Sequence, residues 1–120
     1  MFNHNKMSGN ISKININMKT FVKKNTWLPG MKHGWGNGYV IIPKGHPLHG
    51  KHYDDIDVEV HGGLTFSEPV KELDWPEISK KDKSGWVIGF DTAHADDDCY
   101  SWPEQRVKSE TEYLLKQLMK

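Results

Sequence analysis

The chain has 120 residues, one cysteine and zero formal net charge, which is room for one ordinary domain and not two. A lone cysteine excludes an internal disulfide, no apolar run nears the ~20 residues that span a membrane, and the polar Met1–Asn10 stretch lacks an apolar signal-peptide region. The sequence therefore reads as cytoplasmic and without membrane contact.

The zero net charge is the sum of two opposed halves. From Met1 to Tyr53 there are eight lysines and no acid; from Asp54 to Pro103 there are thirteen acids against four lysines. Scattered lysines with a single arginine are not the dense basic patch that reads nucleic acid, so nucleic acid is set aside as a partner. The simplest reading is that the two halves fold against each other.

In chain order, residues 1–12 read as a flexible tail and residues 13–120 as one domain, with Met1, Met7 and Met18 all open as starts. Ile14 to Met18 alternates apolar and polar residues, a strand pattern that extends towards Val22. Glycine-rich turns around Gly30 and Gly34–Gly38 follow. Tyr39–Ile42 predicts a short buried strand, stopped by Pro43, and Lys44–Gly50 predicts a compact loop.

Asp55–His61 alternates strictly, with Ile56, Val58 and Val60 on one side and Asp57, Glu59 and His61 on the other, which predicts a further strand. Gly62-Gly63 bends the chain, and Leu64–Phe66 resumes as a strand. Glu68–Ser84, polar and interrupted by Pro69 and Pro76, reads as an exposed connection. Trp86–Asp91 predicts another strand.

The last element is a helix from about Trp102 to Met119. Ser101-Trp102-Pro103-Glu104 has the form of a capping box. Val107, Thr111, Leu114, Leu115 and Leu118 fall on one stripe. Glu104–Lys108 and Glu112–Lys116 are favourable pairs on the helix surface. Several strands and one closing helix predict an α+β domain: a small, mainly antiparallel β-sheet packed against a C-terminal α-helix.

Two segments carry candidate chemistry. His61 beside Gly62, Gly63 and Thr65 is placed to offer an imidazole and open backbone N–H groups to an anionic group. Gly62-Gly63 equally suits a plain tight bend. Asp91 at a strand end with His94 three residues on suits acid–base work or metal binding, whereas Asp97 and Asp98 read more simply as turn residues.

His46, His49 and His52 sit in a loop bent by glycine and proline, where spacing carries no helical meaning; His46 is kept as a loop-fixing or ligand-contacting residue. Tyr39 is one of several aromatics able to stack on a planar ligand. Cys99 follows three acids, a setting that works against a thiolate nucleophile. There is no phosphate-loop, dinucleotide or nucleophile-elbow motif.

Gly38-Tyr39-Val40, Gly45-His46-Pro47, Gly50, His61-Gly62-Gly63-Leu64-Thr65-Phe66, Gly89-Phe90-Asp91-Thr92-Ala93-His94 and the closing Glu- and Leu-rich helix together resemble a family of small uncharacterised proteins of tailed phages and bacterial mobile elements. The resemblance covers about Asn37 to Leu118. It implies a phage-type domain acting in the host cytoplasm, with the two motifs joined in one site, and it supplies no reaction.

Three functions follow as expectations. The first is an accessory protein that binds a small polar, nucleotide-derived ligand, for instance as a counter-defence sponge, through His61, Gly62, Gly63, Thr65, Asp91, His94, His46 and Tyr39, with no cofactor. The second is a metal-dependent hydrolase with a divalent ion on His61, Asp91, His94 and Asp96, and Asp57 or Glu59 activating water. The third is a protein-binding inhibitor of a host factor. Assembly as a homo-oligomer is left open.

Overall fold

In a computed structural model of the protein, residues 18–26 and 32–120 are described; the expected tail at 1–12, the strand pattern at 14–17 and Gly30 lie outside them. Among the described residues, four strands, β1 (Lys19–Lys24), β2 (Gly36–Ile42), β3 (Phe66–Pro69) and β4 (Trp86–Phe90), precede helix α1 (Glu104–Leu118). They form one sheet in the order β1-β2-β4-β3, every neighbouring pair antiparallel. The α+β architecture is the one the hydrophobic patterning predicts. No helix among the described residues is long and apolar enough to cross a membrane.

Strand alternation divides the apolar residues between two faces. Val40, Ile42, Ile88 and Phe90 point to one side and pack with Val107, Leu114 and Leu118 of α1. Three of the five predicted stripe residues thus lie in this core, Thr111 is buried beside them, and Leu115 packs at its edge. Tyr39, Ile41 and Val87 point to the other side. Burying the larger of these side chains contributes roughly 1.5–3 kcal/mol each.

The second face overturns one expectation. Glu68–Ser84 is not simply an exposed connection: Val70, Leu73, Trp75 and Ile78 lie over Tyr39, Ile41 and Val87. Its apolar residues are spread among polar ones with neither helical nor strand period, because the segment runs as short 3-10 turns at Val70–Glu72 and Lys80–Asp82. Tyr39, Phe66, Phe21 and Trp75 form an aromatic cluster there, with ring centroids 4.9–6.0 Å apart.

The segment Asp55–His61, expected as a strand, is likewise not a sheet strand: Asp55 ends a 3-10 turn (Tyr53–Asp55), His61 lies in a turn, and residues 56–60 pair with no strand among the described residues. Its alternation is real, and its partner is the helix. Ile56, Val58 and Val60 pack on the α1 side of the core. The Glu59 backbone N–H donates to Gln117 Oε1 at 2.7 Å, Gln117 Nε2 donates to the Glu59 carbonyl at 2.6 Å, and the His61 N–H donates to Glu110 Oε2 at 2.8 Å. Helix side chains thus stand in for a neighbouring strand, which satisfies the backbone groups that an extended segment leaves open.

The capping box is also not formed. Pro103 is the residue before the helix and no side chain caps it. Ser101 is engaged one turn earlier, its N–H and hydroxyl both donating to Asp98 Oδ1 at 2.7 and 3.0 Å. Glu104 pairs with Lys108 at 3.2 Å as the spacing predicts, while Glu112 accepts from the Thr20 hydroxyl on β1.

Candidate functional site

Two loops leave the sheet side by side. The turn after β4 is anchored at Thr92, which is fully buried; its hydroxyl donates to the Gly36 carbonyl at 2.7 Å, and its carbonyl accepts from the Gly34 N–H at 2.6 Å. The chain then folds back on itself. The Asp97 N–H donates to the His94 carbonyl, and Asp97 Oδ2 accepts the His94 N–H, both at 2.9 Å.

The other loop closes at Gly62 and Gly63, with φ of +70° and +81°, values that glycine adopts without strain. The Gly63 N–H donates to the Val60 carbonyl, and the Thr65 N–H returns the chain to the sheet at Gly89.

These turns bring His61 and His94 together, with ring centroids 4.9 Å apart and planes nearly perpendicular. Asp97 lies between them. Its carboxylate is 2.9 and 3.0 Å from His61 Nε2 and 2.8 Å from His94 Nδ1. The Asp97 side chain is 4% exposed, against 25% for His61 and 37% for His94. The charge is therefore buried and the rings reach the surface. Trp102 packs on His61 at 4.1 Å between centroids, and the Arg106 guanidinium lies 4.0 Å from the Trp102 ring.

Donor and acceptor chemistry fixes more than the distances do. An ionised carboxylate only accepts, so His94 carries a proton on Nδ1 and His61 carries one on Nε2. Burial alone would push the Asp97 carboxyl up. The His94 backbone N–H and the two ring N–H groups outweigh it and hold the group below its ordinary 3.8.

An ion held by both rings and the carboxylate would take the place of these two ring protons, because a ligating nitrogen must be proton-free. Nδ1 of His61 has no partner among the described residues. Nε2 of His94 lies 3.2 Å from Asp91 Oδ1, without the alignment of a hydrogen bond, and that oxygen is buried and unpartnered. One ligand atom each from His61, His94 and Asp97 lies within 4.8 Å of the others. Two imidazoles and a carboxylate are a familiar donor set for Zn²⁺ and for Fe²⁺.

Of the residues singled out in the sequence, His61, Gly62, Asp91 and His94 meet here. Gly63 and Thr65 are exposed on the same loop. Asp96 is exposed, and it is Asp97 that converges with the imidazoles. Tyr39 lies in the aromatic cluster over the other sheet face.

The three loop histidines are tied to different backbone groups. Nδ1 of His46 accepts the Leu48 N–H, Nε2 of His49 contacts the Ser84 carbonyl, and Nδ1 of His52 accepts the Asp54 N–H. Neither Asp57 nor Glu59 faces the cluster: Asp57 lines a groove with Leu48, Ile56 and Leu118, and Glu59 accepts from the Tyr113 hydroxyl. Asp97 and Trp102 are the contributors that sequence reasoning passed over. The available signal was the three-residue spacing Asp91–His94–Asp97, which a single turn folds onto one point.

Gly62 is held to its identity by contact as well as conformation. A Cβ there would fall on the Cε1–Nε2 edge of the His94 ring, whereas one at Gly63 would meet nothing. Gly62→Ala is expected to cost about 1–2 kcal/mol of stability and to turn the His94 ring away from Asp97. Gly63→Ala shares the backbone strain and leaves the ring alone. Thermal melts with NMR of the histidine ring resonances check this: both variants lower the melting temperature, and only Gly62→Ala shifts the His94 ring signals.

No family model, curated protein or solved structure matches the chain.

Proposed function

We propose that the chain is a phage-type accessory domain acting as a metal-dependent hydrolase, with one divalent ion held by His61, His94 and Asp97. The observation that supports this reading is the convergence of two half-exposed imidazoles on one buried carboxylate. Three protein ligands leave a coordination position for water, and a bound divalent cation makes that water more acidic. The unpartnered Asp91 oxygen lies against the other edge of the His94 ring, where it would favour a proton on Nε2 once an ion holds Nδ1. The acidic surroundings of the site favour a cation.

Capture of a nucleotide-derived ligand at the same residues has less support, because a small-molecule site is ordinarily a cleft that encloses its ligand. Four cavities among the described residues, of about 310–610 Å³, are lined by residues other than His61, His94 and Asp97, one of them by His46. Nothing in the site's geometry speaks for the inhibitor reading.

Calorimetric titration of untagged protein with ZnCl₂ tests the proposal, followed by hydrolysis assays on nitrophenyl esters and phosphates. Saturable binding at one equivalent is expected, lost in His94→Ala and in Asp97→Ala, with any turnover dependent on the ion. Wild-type protein that takes up no zinc, manganese or iron, while circular dichroism shows it folded, removes the reading.

A further inference from the structure

A cavity of about 510 Å³ opens at the opposite end of β2 from the start anchored by Thr92. Lys19, Lys44 and Lys81 line it, with Asp82, Ser84, Gly85, Ile41 and Pro43. The lysines come from three separate parts of the chain: β1, the turn after β2, and the 3-10 turn Lys80–Asp82. Its volume falls within the range of small-molecule sites.

Three ammonium groups share this concavity with one carboxylate. Asp82 is already committed to Lys19, whose Nζ lies 3.0 and 3.3 Å from its two oxygens. Neither Lys44 nor Lys81 makes an ion pair with any described residue, and both are exposed. With Asp82 neutralised by Lys19, the cleft carries an excess of positive charge, and a concave surface with such an excess concentrates anionic ligands.

We propose that this cleft binds a small phosphate-bearing molecule. Lysine acts as a compact point charge suited to phosphate, whereas carboxylates are best recognised by the planar fork of arginine. The cleft has no arginine: the sole one, Arg106, lies against Trp102. Ser84 adds a hydroxyl, and Ile41 and Pro43 give an apolar wall. The asymmetry of lysines in the first half of the sequence thereby acquires a local consequence, since Lys19 and Lys44 both come from that half. The inference is independent of the metal reading, as the two sites share no residue.

Inorganic pyrophosphate, titrated into the full-length protein in the presence of EDTA, is the probe. Amide resonances followed by heteronuclear NMR give affinity and location together. Saturable shifts are expected at Lys44, Gly45 and Lys81–Gly85, weakening as salt rises. Lys44→Glu/Lys81→Glu is expected to weaken binding about tenfold or more, and Lys44→Gln/Lys81→Gln by an intermediate factor. His94→Ala is expected to bind like wild type. Shifts that do not saturate, shifts centred on the His61–His94 loops, or an affinity indifferent to both pairs of substitutions would overturn the proposal.

Discussion

Replacing Asp97 with asparagine is expected to cost about 2–4 kcal/mol of folding stability at neutral pH and to abolish metal uptake. The side chain is nearly the same size, so packing is not the cause. The carboxylate accepts from the His94 backbone and from both rings. An amide keeps one acceptor oxygen and turns an NH₂ towards donors that are already N–H groups. The affinity loss is expected to exceed the roughly 10–100-fold typical of losing an outer partner of a metal ligand, because the proposed site makes Asp97 one of its three donors.

The pH dependence has a definite direction. The folded carboxyl lies below its ordinary value, so its stabilisation is complete above the unfolded pKa of about 3.9. It is lost as pH falls through the lower folded value. Urea unfolding at pH 7 and pH 3 is therefore expected to show a wide gap between wild type and Asp97→Asn at pH 7 and a narrower one at pH 3. An equal gap at both pH values would show that the ionised form is not what the site stabilises.

Gly38→Ala is expected to destabilise the domain by about 3 kcal/mol, near the top of the usual range for overpacking. Gly38 is buried in β2, paired with Val22 on one side and Phe90 on the other. A Cβ there would fall on Thr111 Oγ1 and lie 2.9 Å from Phe90 Cζ. The helix sits this close because Thr111 is small and returns its hydroxyl to the Val107 carbonyl at 2.7 Å.

Unlike Gly62, Gly38 is not among the positive-φ glycines, so the penalty is steric. In a Thr111→Ala background the same substitution is expected to cost at least about 1 kcal/mol less, a coupling that a double-mutant cycle in urea measures. Additive effects would mean that the helix does not pack on β2 at this point.

The elements legible in the sequence are those whose period and partner agree. The Val107–Thr111–Leu114–Leu118 stripe and the apolar runs at Tyr39–Ile42 and Trp86–Asp91 each bury against an element of matching pattern. Asp55–His61 shows the limit: alternation reports which side is buried and says nothing about what covers it, and here Gln117 and Glu110 replace a strand. Ser101 fits a capping sequence, yet Asp98 lies close enough to take its hydrogen bonds first. Leu73, Trp75 and Ile78 carry no period because irregular chain covers the second face.

The site was half legible for the same reason. His61, Asp91 and His94 stand out as isolated functional groups at strand ends. Asp97 is hidden among three consecutive aspartates, distinguished only by the fold of its turn. Residue type alone puts Tyr39 in the ligand set, whereas strand parity places it with Ile41 on the face away from Val40 and Ile42. The sequence does not reveal which of those faces the helix covers.

Crystals of the untagged protein soaked in ZnCl₂ and measured on either side of the zinc absorption edge address the metal assignment directly. The expected result is one strong anomalous peak within about 2.0–2.2 Å of a nitrogen of His61, a nitrogen of His94 and an oxygen of Asp97. Zinc peaks only at scattered surface groups, with both rings still hydrogen-bonded to Asp97, would contradict it.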